Sequence, residues 1–184
     1  MARWEPLLDE LVRERRRALL ARAVMLTGSQ ADAEDLLQDA LVATFGSRAR
    51  FSSVAAAEQY VRRAIVTRSI DAARSRASER RAVDRLGGMA SATVELPLVG
   101  LERDLVAALQ SLTARERACV VLRHVEDLSV AETAATLGLS AGAVKRYTAD
   151  GIARLNAVLG TTGPQADDRE PVAVVGAPKG EARA

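Results

Sequence analysis

The side chains that could take part in chemistry are mostly carboxylates and guanidinium groups, and they are segregated along the chain. Residues 23–47 contain Asp32, Glu34, Asp35 and Asp39 and no Lys or Arg, which gives this segment a charge of −4. Residues 62–85 contain eight Arg against three acids, a charge of +5, although the whole chain carries only +2. Adjacent blocks of opposite charge indicate two neighbouring surfaces with different partners.

Catalytic side chains are scarce. His124 is the only histidine and Cys119 the only cysteine, so the chain cannot build a zinc site or a disulfide from its own residues. His124 lies among apolar helix residues, which favours a surface or satisfied histidine over a base, and Cys119 is expected in the core or at its edge. We therefore predict no enzyme activity, no metal and no cofactor.

Composition also bears on location. A single cysteine is typical of proteins of the reducing cytoplasm. The longest apolar runs fall far short of the roughly 18–20 residues that cross a bilayer, and the charged N-terminus has no signal-peptide core. We expect a cytoplasmic protein without membrane insertion.

The elements that must position the charged residues are helices. Only five residues are aromatic, and no stretch alternates apolar and polar residues as a half-buried strand does. Apolar residues recur at helical spacing instead. Four hydroxyl residues are placed to cap helix N-termini: Ser29, Thr113, Ser129 and Ser140. Thr113 and Ser129 are each followed three residues later by a Glu, which completes a capping box. The pattern predicts an all-α chain.

The helices form two groups, which predicts two small domains. The first covers residues 7–81 and the second 101–159. Residues 82–100 contain a Gly-Gly pair and Pro97, which indicates a flexible linker. Residues 160–184 hold three of the five prolines and mixed charge, and we predict a disordered tail.

The clearest motif is a helix-turn-helix over residues 129–149. Gly138 falls in the turn, where a positive φ is expected, and Val144 is spaced to pack between the two helices. The outer face of the second helix then carries Ser140, Ala141, Gly142, Lys145, Arg146 and Ala149. Such a helix can lie in the major groove, with Lys and Arg on phosphate or guanine. The alternative is an ordinary helical hairpin, which the small and apolar residues at the expected offsets disfavour.

The charged segments are less decisive when taken alone. Asp35 and Asp39 lie one turn apart and share a face, as do Glu34 and Gln38, but a solvated acidic face fits that pattern better than a binding site does. In the helix that begins near residue 55, Arg62, Arg63, Arg74 and Arg81 share an arc. This arc suits a nucleic-acid backbone and Tyr60 could stack on a base, while a solvated basic face is an equal alternative. Arg68 is predicted on the apolar side.

The three segments, in this order, resemble the extracytoplasmic-function group of sigma-70-type sigma factors of bacterial RNA polymerase. The resemblance is carried by the run from Asp32 to Asp39, by Tyr60-Val-Arg-Arg and by the helix-turn-helix with Val144-Lys145. The segment 32–39 is similar to regions 2.1–2.2, the Arg-rich helix to regions 2.3–2.4, and residues 101–159 to region 4. Tyr60 and Arg154-Leu155 further resemble an actinobacterial, sigma-E-like subgroup.

The resemblance implies a role for each segment. The polymerase core, through the β′ clamp helices and the β subunit, would bind Asp32, Glu34, Asp35, Gln38 and Asp39. The −10 promoter element would contact Tyr60, Arg62, Arg63, Thr67, Arg74 and Arg76. The −35 element would be read by Ser140, Ala141, Gly142, Lys145, Arg146 and Ala149. The family often has Trp at the position of Tyr60 and Asn at that of Thr67, so we predict no promoter sequence. An anti-sigma factor is a further partner that the resemblance allows.

Two other classes of protein stay open on the sequence. A stand-alone helix-turn-helix regulator would dimerise and bind an operator without polymerase. A purely protein-binding helical module would bind neither promoter nor operator. The first of these is the main alternative to a sigma factor.

Overall fold

Helices make up the regular structure of the residues that the structure describes. The computed structural model describes residues 4–46, 51–84 and 103–160, with the backbone alone described for 79–84. Within these ranges no strand occurs, which confirms the all-α prediction. The helices are α1 (Glu5–Thr27), α2 (Gln30–Phe45), α3 (Val54–Asp84), α4 (Arg103–Gln110), α5 (Ala114–Val120), α6 (Val130–Leu137) and α7 (Ala141–Leu159).

The segment predicted as a linker begins later than expected. Helix α3 continues to Asp84, so the first three residues of 82–100 are helical. Residues 85–100 lie outside the described residues, and so does the predicted tail from residue 161 onward.

Helices α1, α2 and α3 pack against one another and form the first group. Their inward residues recur at helical spacing and are almost fully buried: Leu11, Leu19, Ala23, Ala33, Leu37, Ala40, Ala57, Val61 and Ile65. Each large aliphatic side chain buried in this way contributes about 1.5–3 kcal/mol, so the apolar stripes hold the three helices together. Ser29 starts α2 as predicted, because its hydroxyl accepts a hydrogen bond from the Asp32 amide at 3.3 Å.

The second group, α4 to α7, contains the two predicted capping boxes. The Thr113 amide donates to Glu116 Oε2 at 2.9 Å, and the Glu116 amide donates to Thr113 Oγ1 at 3.3 Å. Ser129 and Glu132 repeat the pair at 2.8 Å and 3.2 Å. Each box satisfies two amides that the first helical turn leaves without partners. Helix α5 runs on into a π-helical turn, Val121–Val125.

The helix-turn-helix is formed by α6, a short turn and α7, as predicted. Gly138 has φ +62°, the left-handed conformation in which a residue with a Cβ is strained. Ser140 caps α7, since its hydroxyl accepts from the Ala143 amide at 3.2 Å. Val144 is completely buried, as expected of a residue that packs between the two helices.

The two groups are in contact. Helices α1 and α3 lie against α4, α5 and α6, and the buried apolar residues of both groups form one continuous cluster. Of the helices described, none combines the length and the apolar character that a bilayer span requires.

Candidate nucleic-acid interface

The outer side of α7 presents the residues expected to read DNA. All six candidates are exposed: Ser140, Ala141, Gly142, Lys145, Arg146 and Ala149. We call this set the recognition face. Val144 and Thr148 point to the opposite side and are buried. The sequence therefore assigned the two sides of this helix correctly, and the recognition face has the shape of a helix that can enter a major groove.

Tyr147 supports this helix from its edge. The Arg146 guanidinium carbon lies 5.1 Å from the centre of the Tyr147 ring, within the range of a cation–π contact. Arg115 Nη1 donates to the Tyr147 hydroxyl at 3.4 Å, and this hydrogen bond, together with Arg146, lowers the pKa of Tyr147. The ring thus links the start of α5 to the middle of α7 and orients Arg146.

On α3, the arginines expected at DNA are engaged with protein groups. We call Arg62, Arg63, Thr67, Arg74 and Arg76 the arginine face. Arg62 pairs with the buried Glu58, which also lies 3.4 Å from Arg15. Arg63 Nη2 donates to the Ala135 carbonyl of α6 at 3.5 Å, and Arg74 lies 3.5 Å from Asp71.

Arg76 forms an ion pair that the sequence did not predict. Its Nη1 lies 3.0 Å from Asp32 Oδ2, so a residue expected at DNA meets one expected at the polymerase. Both side chains are 39–48% exposed, and an ion pair at that exposure is worth about 0–1 kcal/mol. The pair can therefore open at little cost when either residue finds another partner.

Tyr60 stands at the end of a chain of aromatic rings. Its side chain is 59% exposed, and its ring centre lies 5.2 Å from that of Phe51. Phe51 contacts Phe45 at 5.5 Å, and Phe45 contacts Trp4 at 6.2 Å. The sequence analysis singled out Tyr60 alone. An exposed ring backed by others is a platform on which an unpaired base can stack.

The acidic residues of α2 face solvent. Asp32, Glu34, Asp35, Gln38 and Asp39 are all exposed, and we call them the acidic face. Between α2 and α3 lies an open cavity of about 630 Å³, lined by Asp35, Asp39, Arg68 and others. The prediction that Arg68 lies on the apolar side is wrong: Arg68 is exposed, and it lines this cavity together with Asp35 and Asp39.

The two residues considered for catalysis occupy the expected places. Cys119 is fully buried, and burial raises the pKa of its thiol to about 11. His124 is exposed, and its pKa is lowered by partial desolvation and by Arg123. Among the described residues, no cluster of three or more His, Cys, Asp or Glu is arranged to hold a metal ion.

Sequence reasoning missed the polar groups buried between the two helical groups. Arg22 of α1 pairs with Glu126, which follows the π-helical turn, and their side chains are only 9% and 3% exposed. Arg117 of α5 donates to four backbone carbonyls, one of which belongs to Leu26 of α1. The available signal was Arg22 itself, an arginine inside the apolar run from Leu19 to Leu26.

Comparison with known families matches both groups of helices. Residues 11–79 match the family Sigma-70 region 2, and residues 102–155 match Sigma-70, region 4.

Several curated proteins are similar over most of the chain. The RNA polymerase sigma-E factor of Streptomyces coelicolor is 38% identical over 149 residues, which cover 80% of this chain and 82% of that protein. The protein of the same name from Streptomyces avermitilis is 37% identical, with coverages of 84% and 87%. The ECF RNA polymerase sigma factor SigM of Mycobacterium tuberculosis is 30% identical, with coverages of 83% and 76%.

A solved structure shares the fold. It is the sigma factor RpoE of Bartonella quintana, crystallised in complex with the anti-sigma factor NepR. The TM-score is 0.59 at 21% sequence identity, and the match covers 87% of this chain and 96% of that one.

Proposed function

The chain belongs to the sigma-70 family of RNA polymerase sigma factors, and we propose that its three charged surfaces divide the work of promoter-specific initiation among them. It is a sigma factor of the extracytoplasmic-function group. In this proposal the acidic face binds the polymerase core, the arginine face with Tyr60 holds the −10 element, and the recognition face reads the −35 element.

The observation that carries the proposal is the exposure of the recognition face together with the acidic face. A helix-turn-helix alone would also serve a stand-alone regulator. A second surface of five exposed polar residues, four of them acidic, repels DNA and suits a basic protein partner instead. A chain with both surfaces can bring a large enzyme to a DNA site.

For the acidic face, the proposed partner is the β′ clamp helices of the polymerase, with further contacts to the β subunit. Asp35 and Asp39 lie one helical turn apart on the same exposed side of α2. Asp32 of the acidic face pairs with Arg76 beside the adjoining cavity, so a basic helix that binds there would replace Arg76 as the partner of Asp32.

For the −10 element, Tyr60 and the arginine face have complementary tasks. Guanidinium groups neutralise the phosphates of a strand, and the exposed Tyr60 ring, backed by Phe51, offers a surface for one unstacked base. Thr67 lies on the same side of α3 and hydrogen-bonds its hydroxyl to the Arg63 carbonyl at 3.0 Å.

For the −35 element, Lys145 and Arg146 supply contacts to bases or phosphates, and the small residues Ala141 and Gly142 let the start of α7 approach the duplex closely. Residues 7–81 and 101–159 would be the two functional domains, with 82–100 joining them. Linkage raises the effective concentration of the second domain once the first is bound, so each DNA contact can be weak alone.

The remaining parts of the proposal follow from this role. A sigma factor acts through the polymerase and not through a reaction of its own, so we expect no enzyme activity and no cofactor. It works where transcription takes place, in the cytoplasm. An anti-sigma factor is a further expected partner, by analogy with the solved complex from Bartonella quintana.

Run-off transcription tests the proposal. Core RNA polymerase from the source organism is mixed with a library of genomic fragments, with and without the purified chain. We expect discrete transcripts that require both components, while the chain alone shifts little duplex in an electrophoretic assay. A chain that shifts a specific duplex unaided, and gives no transcript with core, would instead be the stand-alone regulator.

A further inference from the structure

The recognition face has an aromatic side chain at its edge that the proposed roles leave unused. Tyr147 is half-buried on α7 and follows Arg146 directly in the sequence. The Arg146 guanidinium carbon lies 5.1 Å from the centre of the Tyr147 ring. Neighbouring residues of a helix point about 100° apart, so this contact requires the Arg146 side chain to bend toward Tyr147. The bend carries the guanidinium away from Lys145, which precedes Arg146 on the other side.

The ring of Tyr147 is in turn held from α5. Arg115 Nη1 donates a hydrogen bond to the Tyr147 hydroxyl at 3.4 Å. Arg115 lies in the first turn of α5, which the capping box of Thr113 and Glu116 fixes in place. A ring that is anchored at its hydroxyl has little freedom to turn away from Arg146. Arg115, Tyr147 and Arg146, which we call the support triad, thus connect the start of α5 to the recognition face.

A glycine one helical turn beyond Tyr147 explains why Arg115 can reach the ring. Gly151 is buried on α7, where that helix packs against α5. A Cβ at this position would lie 2.7 Å from Val120 Cγ2 and 3.5 Å from Glu116 Cβ. The two helices therefore approach each other closely because this position has no side chain. The close packing brings the start of α5 beside Tyr147.

A restrained arginine recognises a base better than a free one does. A guanidinium can donate two parallel hydrogen bonds to O6 and N7 of a guanine in the major groove, but only in one orientation. Immobilising a long, free side chain costs about twofold to tenfold in affinity. Contact with the Tyr147 ring restricts Arg146 before DNA binds, so much of this loss is avoided. Lys145 carries a compact ammonium instead, which suits a phosphate.

We propose that Tyr147 is a specificity-determining residue of the −35 contact, which positions Arg146 for bidentate recognition of one guanine, while Arg115 holds the Tyr147 ring. The inference rests on the proposed function, because it requires the recognition face to lie on a −35 element. Tyr147 and Arg115 are positioning residues, since both act through Arg146. Loss of either should reduce the preference for that guanine and leave initiation on a promoter without it unchanged.

Run-off transcription with the holoenzyme, assembled from core polymerase and the full chain, measures this preference. The templates are one promoter and a series in which each base pair of its −35 element is replaced in turn. For the wild type we expect one G·C pair whose replacement lowers initiation about tenfold. This dependence should vanish in Arg146→Ala. A series in which Arg146→Ala retains every preference of the wild type would overturn the proposal.

Two substitutions of Tyr147 separate the ring from the hydroxyl. Tyr147→Leu removes the ring and should lower the preference for the guanine about fivefold, within the range set by ordering one long side chain. Tyr147→Phe keeps the ring and should lower the preference only about twofold. Circular dichroism verifies that each variant is folded. A folded Tyr147→Leu chain that keeps the full preference, or that loses initiation equally with and without the guanine, would contradict the positioning role.

A double-mutant cycle tests whether the support triad acts as a unit. Arg115→Ala and Tyr147→Phe break the same hydrogen bond, so each should lower the preference about twofold and the double variant no further. Neither should have an effect in an Arg146→Ala chain. Additive losses, or losses that persist without Arg146, would overturn the proposal even if Tyr147→Leu does not fold. Arg16→Ala, at an exposed arginine of α1, is the matched control and should leave the preference unchanged.

Nitrogen-15 relaxation at Arg146 Nε in the free full chain measures the restraint without transcription. We expect a higher order parameter for Arg146 than for the exposed Arg16, and a fall to the Arg16 value in Tyr147→Leu. If this holds but no promoter-dependent transcript appears, the proposed function fails and the restraint of Arg146 stands. If transcripts appear and Arg146 is as mobile as Arg16, the positioning role fails and the proposed function stands.

Discussion

Two helices of this chain are expected to touch DNA, and they are prepared for it in different ways. The recognition face of α7 is exposed, with Val144 buried on the opposite side of the helix, so it can meet a duplex without rearrangement. On the arginine face of α3, the arginines already have protein partners, among them Glu58, Asp71, Asp32 and the Ala135 carbonyl.

The difference matches the two substrates. Duplex DNA is present before initiation, so a rigid, open helix suits it. A melted strand exists only after the polymerase has engaged the promoter, and arginines held by weak, partly exposed protein contacts can exchange those contacts for phosphates at that stage. We therefore expect the free chain to need less rearrangement to bind the −35 element than to bind the −10 element.

The largest expected effect comes from disrupting the helix-turn-helix that carries the recognition face. Val144→Asp places an unpaired carboxylate in a fully buried position, which should cost at least about 3 kcal/mol and unfold the helix-turn-helix. Thermal unfolding followed by circular dichroism, and run-off transcription with core polymerase from a promoter with a −35 element, would both show the loss. Val158→Asp is the matched control on the same helix, because Val158 is 57% exposed, and it should leave both unchanged.

A second test weakens the binding of the chain to core polymerase and leaves both DNA-binding faces intact. Asp35→Arg with Asp39→Arg reverses two exposed charges of the acidic face and should weaken binding to core polymerase by about 3 kcal/mol, roughly 100-fold. Helical content should not change, since both residues are exposed. Surface plasmon resonance on immobilised core gives the affinity. If the folded double variant binds core polymerase as tightly as the wild type does, the acidic face is not the polymerase-binding surface.

A third prediction concerns how α7 reads sequence. Arg146→Ala should reduce initiation at a promoter with a −35 element by about 1–3 kcal/mol if the guanidinium contacts a base. The control is the same promoter with a scrambled −35 element, on which wild type and variant should then be equal. An equal loss on both templates would assign Arg146 to phosphate and weaken the claim that this face reads bases.

The smallest effect belongs to the ion pair that joins α2 to α3. Asp32→Asn removes the partner of Arg76, and because the pair is partly exposed the free energy of unfolding should fall by less than about 1 kcal/mol. The difference should shrink further at high salt. Urea unfolding at two salt concentrations measures it. A loss of several kcal/mol would mean that the pair is structural and that Arg76 is not available to DNA.

The elements were predictable where the rules are local. Ser29, Thr113, Ser129 and Ser140 cap helices because a hydroxyl needs only the amide three residues on. Gly138 likewise indicates the turn, and Val144, six residues further on, indicates the buried side of the second helix. The exposed acids and the recognition face follow from helical periodicity alone.

The partners of the arginine face and the contact between the groups were not predictable in this way. Gln110 and Met25 are 85 residues apart in the chain, and Arg117 and Leu26 are 91 apart. No local pattern encodes which of many arginines meets which carbonyl. Arg22 was visible as a charge in an apolar run, but its partner Glu126 was not.

The most direct test of the whole account is a hydroxyl-radical and permanganate footprint on one promoter found by run-off transcription. The account predicts that the chain with core polymerase protects two separate patches, at the −35 and −10 elements, with reactive unpaired thymines at the second, while the free chain leaves the −10 patch unprotected. One protected patch that is the same with and without polymerase, and no unpaired bases, would contradict it.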